Sequence, residues 1–128
     1  MTKLIACLST GKGTWTEVIK LIDSEPWEKV FLITNDFGKE KFTHEKAELI
    51  VVKGNVNEMR DQIHASLKNK LSFEEVAVNL ISGTGTEHMA IISAVLKLGV
   101  GMRIVTTEEN KIKGNMFIFF DFKMSCND

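Results

Sequence analysis

The sequence predicts an α/β domain, a Rossmann-like three-layer sandwich, and three observations predict it. Five short apolar runs are bounded by turn residues, three stretches between them repeat apolar residues at helical spacing, and one glycine-rich turn recurs after the first and the fourth run. The runs Leu4–Leu8, Val30–Thr34, Leu49–Lys53, Val76–Ile81 and Met102–Thr106 have the length of buried strands and no polar alternation. Continuous runs of this kind suit parallel strands covered on both faces by the helices that connect them.

The first helical pattern carries Trp15, Val18, Ile19 and Ile22, the second Met59, Ile63 and Leu67, and the third Met89, Ile92, Val95 and Leu96. Each supplies one apolar face for a sheet. Lys39 to Lys46 fits either a helical turn or a loop. After Glu108 the run Asn115-Met116-Phe117-Ile118-Phe119-Phe120 predicts a sixth strand or hairpin at the sheet edge, and its apolar residues call for a cover, either the core or a second subunit. The expected sheet is mainly parallel, with order 3-2-1-4-5 and this C-terminal strand at its edge.

At 128 residues the chain has the size of one domain, 1–128, and shows no linker or low-complexity run. Apolar residues at 44% and charged residues at 26% exclude a disordered or fibrous chain. With 16 basic and 17 acidic side chains, no overall field holds it on duplex nucleic acid or an anionic membrane. No run approaches the ~20 apolar residues of a membrane span, and Leu4–Leu8 is too short for a signal-peptide core. Cys7 lies in an apolar run and Cys126 in the tail, without metal-type spacing, which fits a reduced, cytoplasmic setting. No metal or cofactor is expected.

The functional reading rests on an internal repeat. Gly13-Thr14-Trp15-Thr16-Glu17 and Gly83-Thr84-Gly85-Thr86-Glu87 are both Gly-Thr-x-Thr-Glu, each after a strand and at the opening of a helix. Thr14 with Glu17 and Thr84 with Glu87 read as capping boxes, which need no ligand. Capping does not account for the glycine and hydroxyl density around them: Ser9, Thr10, Gly11, Lys12 and Gly13 in one turn, Ser82, Gly83 and Gly85 in the other. Glycines admit close backbone approach, and free N–H groups at a helix start attract anionic oxygens. In the order 3-2-1-4-5 the first and fourth strands are neighbours at the switch point, so both turns line one crevice. The candidate ligand-binding residues are therefore Ser9, Thr10, Gly11, Lys12, Gly13, Thr14, Ser82, Gly83, Thr84, Gly85 and Thr86. Glu17 and Glu87 place negative charge near the same helix starts with only Lys12 opposing them, so base or ribose contacts matter beside phosphate. No P-loop and no complete dinucleotide fingerprint is present.

Val76-Ala-Val-Asn79-Leu-Ile-Ser82-Gly83-Thr84, followed by an apolar helix and Val100-Gly101-Met102-Arg103-Ile104-Val105, resembles the CRISPR-associated Rossmann-fold (CARF) domains of antiviral defence. Ser9-Thr10-Gly11 at the end of the first strand is similar to that family's other ligand-contacting turn. The resemblance implies a homodimer whose paired turns bind a cyclic oligoadenylate or a related nucleotide. Members commonly carry a C-terminal effector, whereas this chain ends at Asp128 without one, so a separate effector protein is an expected partner.

Whether the chain is an enzyme stays open at this point. It fits a sensor, a metal-independent ring nuclease that cuts the cyclic nucleotide, or a structural assembly protein without a small ligand. Cleavage would proceed by placing a ribose 2′-hydroxyl in line with its phosphorus, with Lys12 stabilising the developing charge and His88 as acid or base. His44 and His64 read as solvated, Arg60 as a surface partner of His64, and Cys7 as inert core. Asn79, polar in an apolar strand, reads as a support for the Ser82 turn.

Overall fold

A computed structural model of the chain describes residues 2–9, 15–71, 75–108 and 111–118. In chain order it forms β1 (Lys3–Leu8), α1 (Trp15–Ser24), β2 (Lys29–Thr34), α2 (Asp36–Lys41), β3 (Ala47–Val51), α3 (Val56–Leu67), β4 (Val76–Asn79), α4 (Gly85–Leu98), β5 (Met102–Glu108) and β6 (Lys111–Ile118). The sheet order is β3-β2-β1-β4-β5-β6. Its first five strands are parallel, and β6 returns antiparallel to β5. This is the Rossmann-like α/β arrangement predicted from the apolar runs. The expected sixth strand is present, and Phe119 and Phe120 lie outside the described residues.

Side chains of a strand point to alternate faces, and the continuous apolar runs fill both. Leu4, Ala6 and Leu8 of β1, with Val30 and Leu32 of β2, pack with Trp15, Val18, Leu21 and Ile22 of α1 and with Phe42 just after α2. Ile5, Cys7, Phe31, Ile33, Val76 and Val78 face the other way, against α3 and α4. The chain winds outward from β1 through β2 to β3, then crosses back to start β4 on the other side of β1. The carboxyl ends of β1 and β4 therefore stand side by side at the reversal, where ligands of such sheets bind. No helix of the described residues is long and apolar enough to cross a membrane.

In α1, Trp15, Val18 and Ile22 are buried as expected, with Leu21 beside them, and only Ile19 is exposed. Helix α4 is rotated from its expected face. In α4 the inward residues are Glu87, Ala90, Ile91, Ala94 and Val95, and Met89 is 55% exposed. The small alanines lie in the core cluster where α4 packs beside α3, and the carboxylate of Glu87 is held inward by hydrogen bonds at the strand ends. Apolar periodicity favoured Met89 over alanine and gave no weight to a buried acid. The ambiguous Lys39–Lys46 stretch closes α2 and continues as coil into β3; Asn35 caps α2 by accepting from Gly38 N at 2.9 Å.

The rotation of α4 predicts a ranking of two substitutions. Ile91→Ala, at a fully buried site, should cost about 2–5 kcal/mol, and Met89→Ala less than about 0.5 kcal/mol. Urea denaturation of both variants measures the ranking, and the reverse order would contradict the assigned face.

Candidate functional site

Strand β4 stops at Asn79 because its side chain turns the backbone. Asn79 Nδ2 donates to Val105 O on β5 at 2.9 Å, and Oδ1 accepts from Ile81 N at 3.2 Å. Ile81, expected within the strand, is instead about half exposed in the turn. The backbone then reaches Gly83 at φ +103°, where a side chain is strained. A Cβ at Gly83 would also stand 2.4 Å from Cys7 Sγ. This glycine is required by the turn and by the thiol beneath it.

Thr84 begins α4 with the capping box predicted from the sequence. Thr84 Oγ1 accepts from Glu87 N at 3.2 Å, and Glu87 Oε1 accepts from Thr84 N at 2.8 Å. The N–H groups of Gly85 and Thr86 lie in the first helical turn, where helix geometry provides no intrahelical acceptor. A Cβ placed on Gly85 would meet no described residue within 4 Å.

The contact that joins the two strand ends was not foreseen. Ser9 Oγ, at the end of β1, donates to the same Glu87 Oε1 at 2.8 Å, and Cys7 Sγ donates weakly to it at 3.8 Å. Ser9, Ser82 and Glu87 are all nearly inaccessible. Burial pushes the Cys7 thiol far above its ordinary range, and the neighbouring Glu87 carboxylate adds to the effect. Cys7 is thus held as a protonated donor, with no nucleophilic character. Trp15, the first residue of α1, returns its indole Nε1–H to Ser9 O at 3.0 Å and packs edge-on against Phe42. The signal for Glu87 in the sequence was an acid one turn before Ala90 and two turns before Ala94, the alanines it shares a face with.

Of the predicted ligand-binding residues, the fold brings Ser9 together with Ser82, Gly83, Thr84, Gly85 and Thr86 at the β1–β4 boundary. Thr10, Gly11, Lys12, Gly13 and Thr14 lie outside the described residues. His88 Nε2 is 2.8 Å from Ser82 O; a carbonyl only accepts, so Nε2 carries the hydrogen and the ring braces the turn. The remaining histidines stand apart from this strand boundary. His44 Nε2 pairs with Asp23 at 3.0 Å and stacks on Phe42. His64 is partly buried on α3, and that burial, with Lys97 and Lys68 nearby, holds its imidazole below the ordinary value. Arg60 bonds Asp61 and Asn57, not His64.

Two surface cavities lie elsewhere. One of about 400 Å³ is at the amino ends of the strands, lined by Trp27, Ala77, Val105 and the Glu75–Arg103 ion pair; the other, of about 620 Å³, is an open hollow around Asp23 and Thr43–Lys46. Ligands of doubly wound sheets bind at the carboxyl ends, which favours the switch point over the first. Among the described residues no cluster of three or more histidine, cysteine or acidic side chains could hold a metal ion. No protein-family model and no curated protein sequence matches this chain.

The geometry separates the two glycines of the turn. Gly83→Ala should destabilise by about 1–3 kcal/mol through its positive φ and the overlap with Cys7. Gly85→Ala should stay within about 0.5 kcal/mol of the parent, since its Cβ meets no described residue within 4 Å and the position lies in a first helical turn. Equal urea midpoints for the two variants would contradict this picture of the turn.

Proposed function

We propose that the chain is a nucleotide-binding, sensor-type domain whose ligand lies across the carboxyl ends of β1 and β4. The observation that carries this reading is the meeting of Ser9, at the end of β1, with the glycine- and hydroxyl-rich turn after β4 at the point where the strand order reverses, Ser9 being bonded to Glu87 behind that turn. A crevice at this boundary combines fixed hydroxyls, first-turn N–H groups of α4 and a Gly85 with no described residue against it, the components that hold a sugar, base and phosphate together. The similarity of Asn79-Leu-Ile-Ser82-Gly83-Thr84 and Ser9-Thr10-Gly11 to CARF turns narrows the expected ligand to a cyclic oligoadenylate or a related adenine nucleotide. A two-fold dimer pairing two such crevices accommodates a cyclic ligand, and a separate effector would then read the bound state.

Sensing is favoured over cleavage by the engagement of His88. Its Nε2 hydrogen is committed to Ser82 O, which suits a brace for the turn better than a proton shuttle.

Thermal-shift and calorimetric titration with AMP, linear oligoadenylates and cyclic tri-, tetra- and hexa-adenylate tests the reading. An adenylate present at a hundred times its Kd should add about 2.7 kcal/mol of stability and be recovered intact, and light scattering should give a dimer mass. No shift with any member of the panel, together with a monomer mass, would refute it.

A further inference from the structure

Glu87 is 6% exposed, yet its hydrogen bonds all fall on one oxygen. Oε1 accepts from Ser9 Oγ and Thr84 N, each at 2.8 Å, while no described residue donates to Oε2 and none forms an ion pair with this carboxylate. Carboxylate oxygens each have room for two donors, and Oε2, which is not sealed from solvent, is an open acceptor beside the turn. A buried group without any partner stands in the same turn. Ser82 is 2% exposed, and its Oγ is the only buried side-chain polar atom without a hydrogen-bond partner among the described residues. The turn containing it rests directly on Glu87, since a Cβ on the adjacent Gly83 would lie 3.1 Å from Oε1.

These two groups differ in kind. Oε2 can only accept, whereas a serine hydroxyl can donate. A ligand satisfies both with a donor set beside an acceptor, as in the N6–H and N1 edge of adenine or in a ribose hydroxyl. A phosphate oxygen only accepts and carries the same sign of charge as Glu87, so it leaves Oε2 unpaired and is repelled by it. The outward N–H groups of Gly85 and Thr86 are the better place for phosphate.

Resting on the nucleotide reading above, we propose that Glu87 Oε2 and Ser82 Oγ form a specificity subsite for the uncharged hydrogen-bonding edge of a nucleoside, and that phosphate binds outside it. Glu87→Gln isolates the effect, because the amide oxygen can keep the bonds from Ser9 and Thr84 while the free acceptor becomes an N–H₂ donor.

Calorimetric titration of the wild-type chain, Glu87→Gln and Ser82→Ala with AMP, adenosine, inosine, 2′,3′-dideoxyadenosine and inorganic phosphate tests the subsite. Adenosine should bind the wild type more tightly than phosphate does. Glu87→Gln should weaken adenosine and AMP at least tenfold, about 1.4 kcal/mol, and Ser82→Ala should weaken them in the same direction. If the base edge occupies the subsite, inosine binds the wild type poorly and recovers in Glu87→Gln, whose new donor faces the inosine O6. If the sugar occupies it, dideoxyadenosine loses affinity while inosine matches adenosine. Phosphate binding as tightly as AMP, or AMP affinity unchanged or raised in Glu87→Gln, would overturn the subsite and leave the nucleotide reading standing. Failure of the wild type to bind any nucleoside or nucleotide would overturn both. Should Glu87→Gln not fold by circular dichroism, Ser82→Ala decides alone, since it leaves the Ser9–Glu87–Thr84 bonds in place, and unchanged AMP affinity there refutes the subsite.

Discussion

The 2.8 Å hydrogen bond from Ser9 Oγ to Glu87 Oε1 is the contact on which the geometry of the β1–β4 boundary depends. It joins residues 78 positions apart and spans the one place in the sheet where neighbouring strands have helices leaving in opposite directions. Hydrogen bonds of the parallel ladder stop at Ala6 and Asn79 between β1 and β4, so beyond that register nothing in the sheet itself holds the two strand ends together. The side chain of Glu87 supplies the connection, gripping Ser9 on one side and Thr84 N on the other. The rotation of α4 follows from the same contact, because turning Glu87 inward carries Ala90, Ile91, Ala94 and Val95 onto the sheet and leaves Met89 in solvent.

A carboxylate this deeply buried costs several kcal/mol unless donors surround it. Here the donors are two short hydrogen bonds, a weak one from the Cys7 thiol, and the positive end of the α4 dipole. The thiol and Gly83 are parts of the same arrangement. Cys7 stays protonated beneath Glu87, and Gly83 must lack a side chain because the thiol occupies the space a Cβ would take.

Much of this was legible in the sequence. Continuous apolar runs such as Leu4–Leu8 and Val76–Val78 can serve only strands covered on both faces, and their order along the chain with intervening helices fixes the reversal between β1 and β4. The Thr84–Glu87 box was readable because capping is a local matter of spacing. The second duty of Glu87 was not readable, since it depends on Ser9 arriving from the other strand, and no local pattern records that. Hydropathy also misassigned the α4 face, because alanine carries little weight in an apolar count although Ala90 and Ala94 are fully buried. Strand ends were overrun for a related reason: Leu80 and Ile81 extend the apolar run of β4, but the Asn79 side chain turns the backbone before they can pair.

The most direct test of the account is a backbone-amide NMR titration of the intact chain with AMP and with cyclic tetra-adenylate. The account predicts shift changes concentrated at Ser9 and at Ser82 through Thr86, with little change at Trp27, Glu75 and Arg103 around the cavity at the opposite end of the sheet. Changes confined to that opposite end, with the Ser82–Thr86 amides unmoved at saturation, would contradict it.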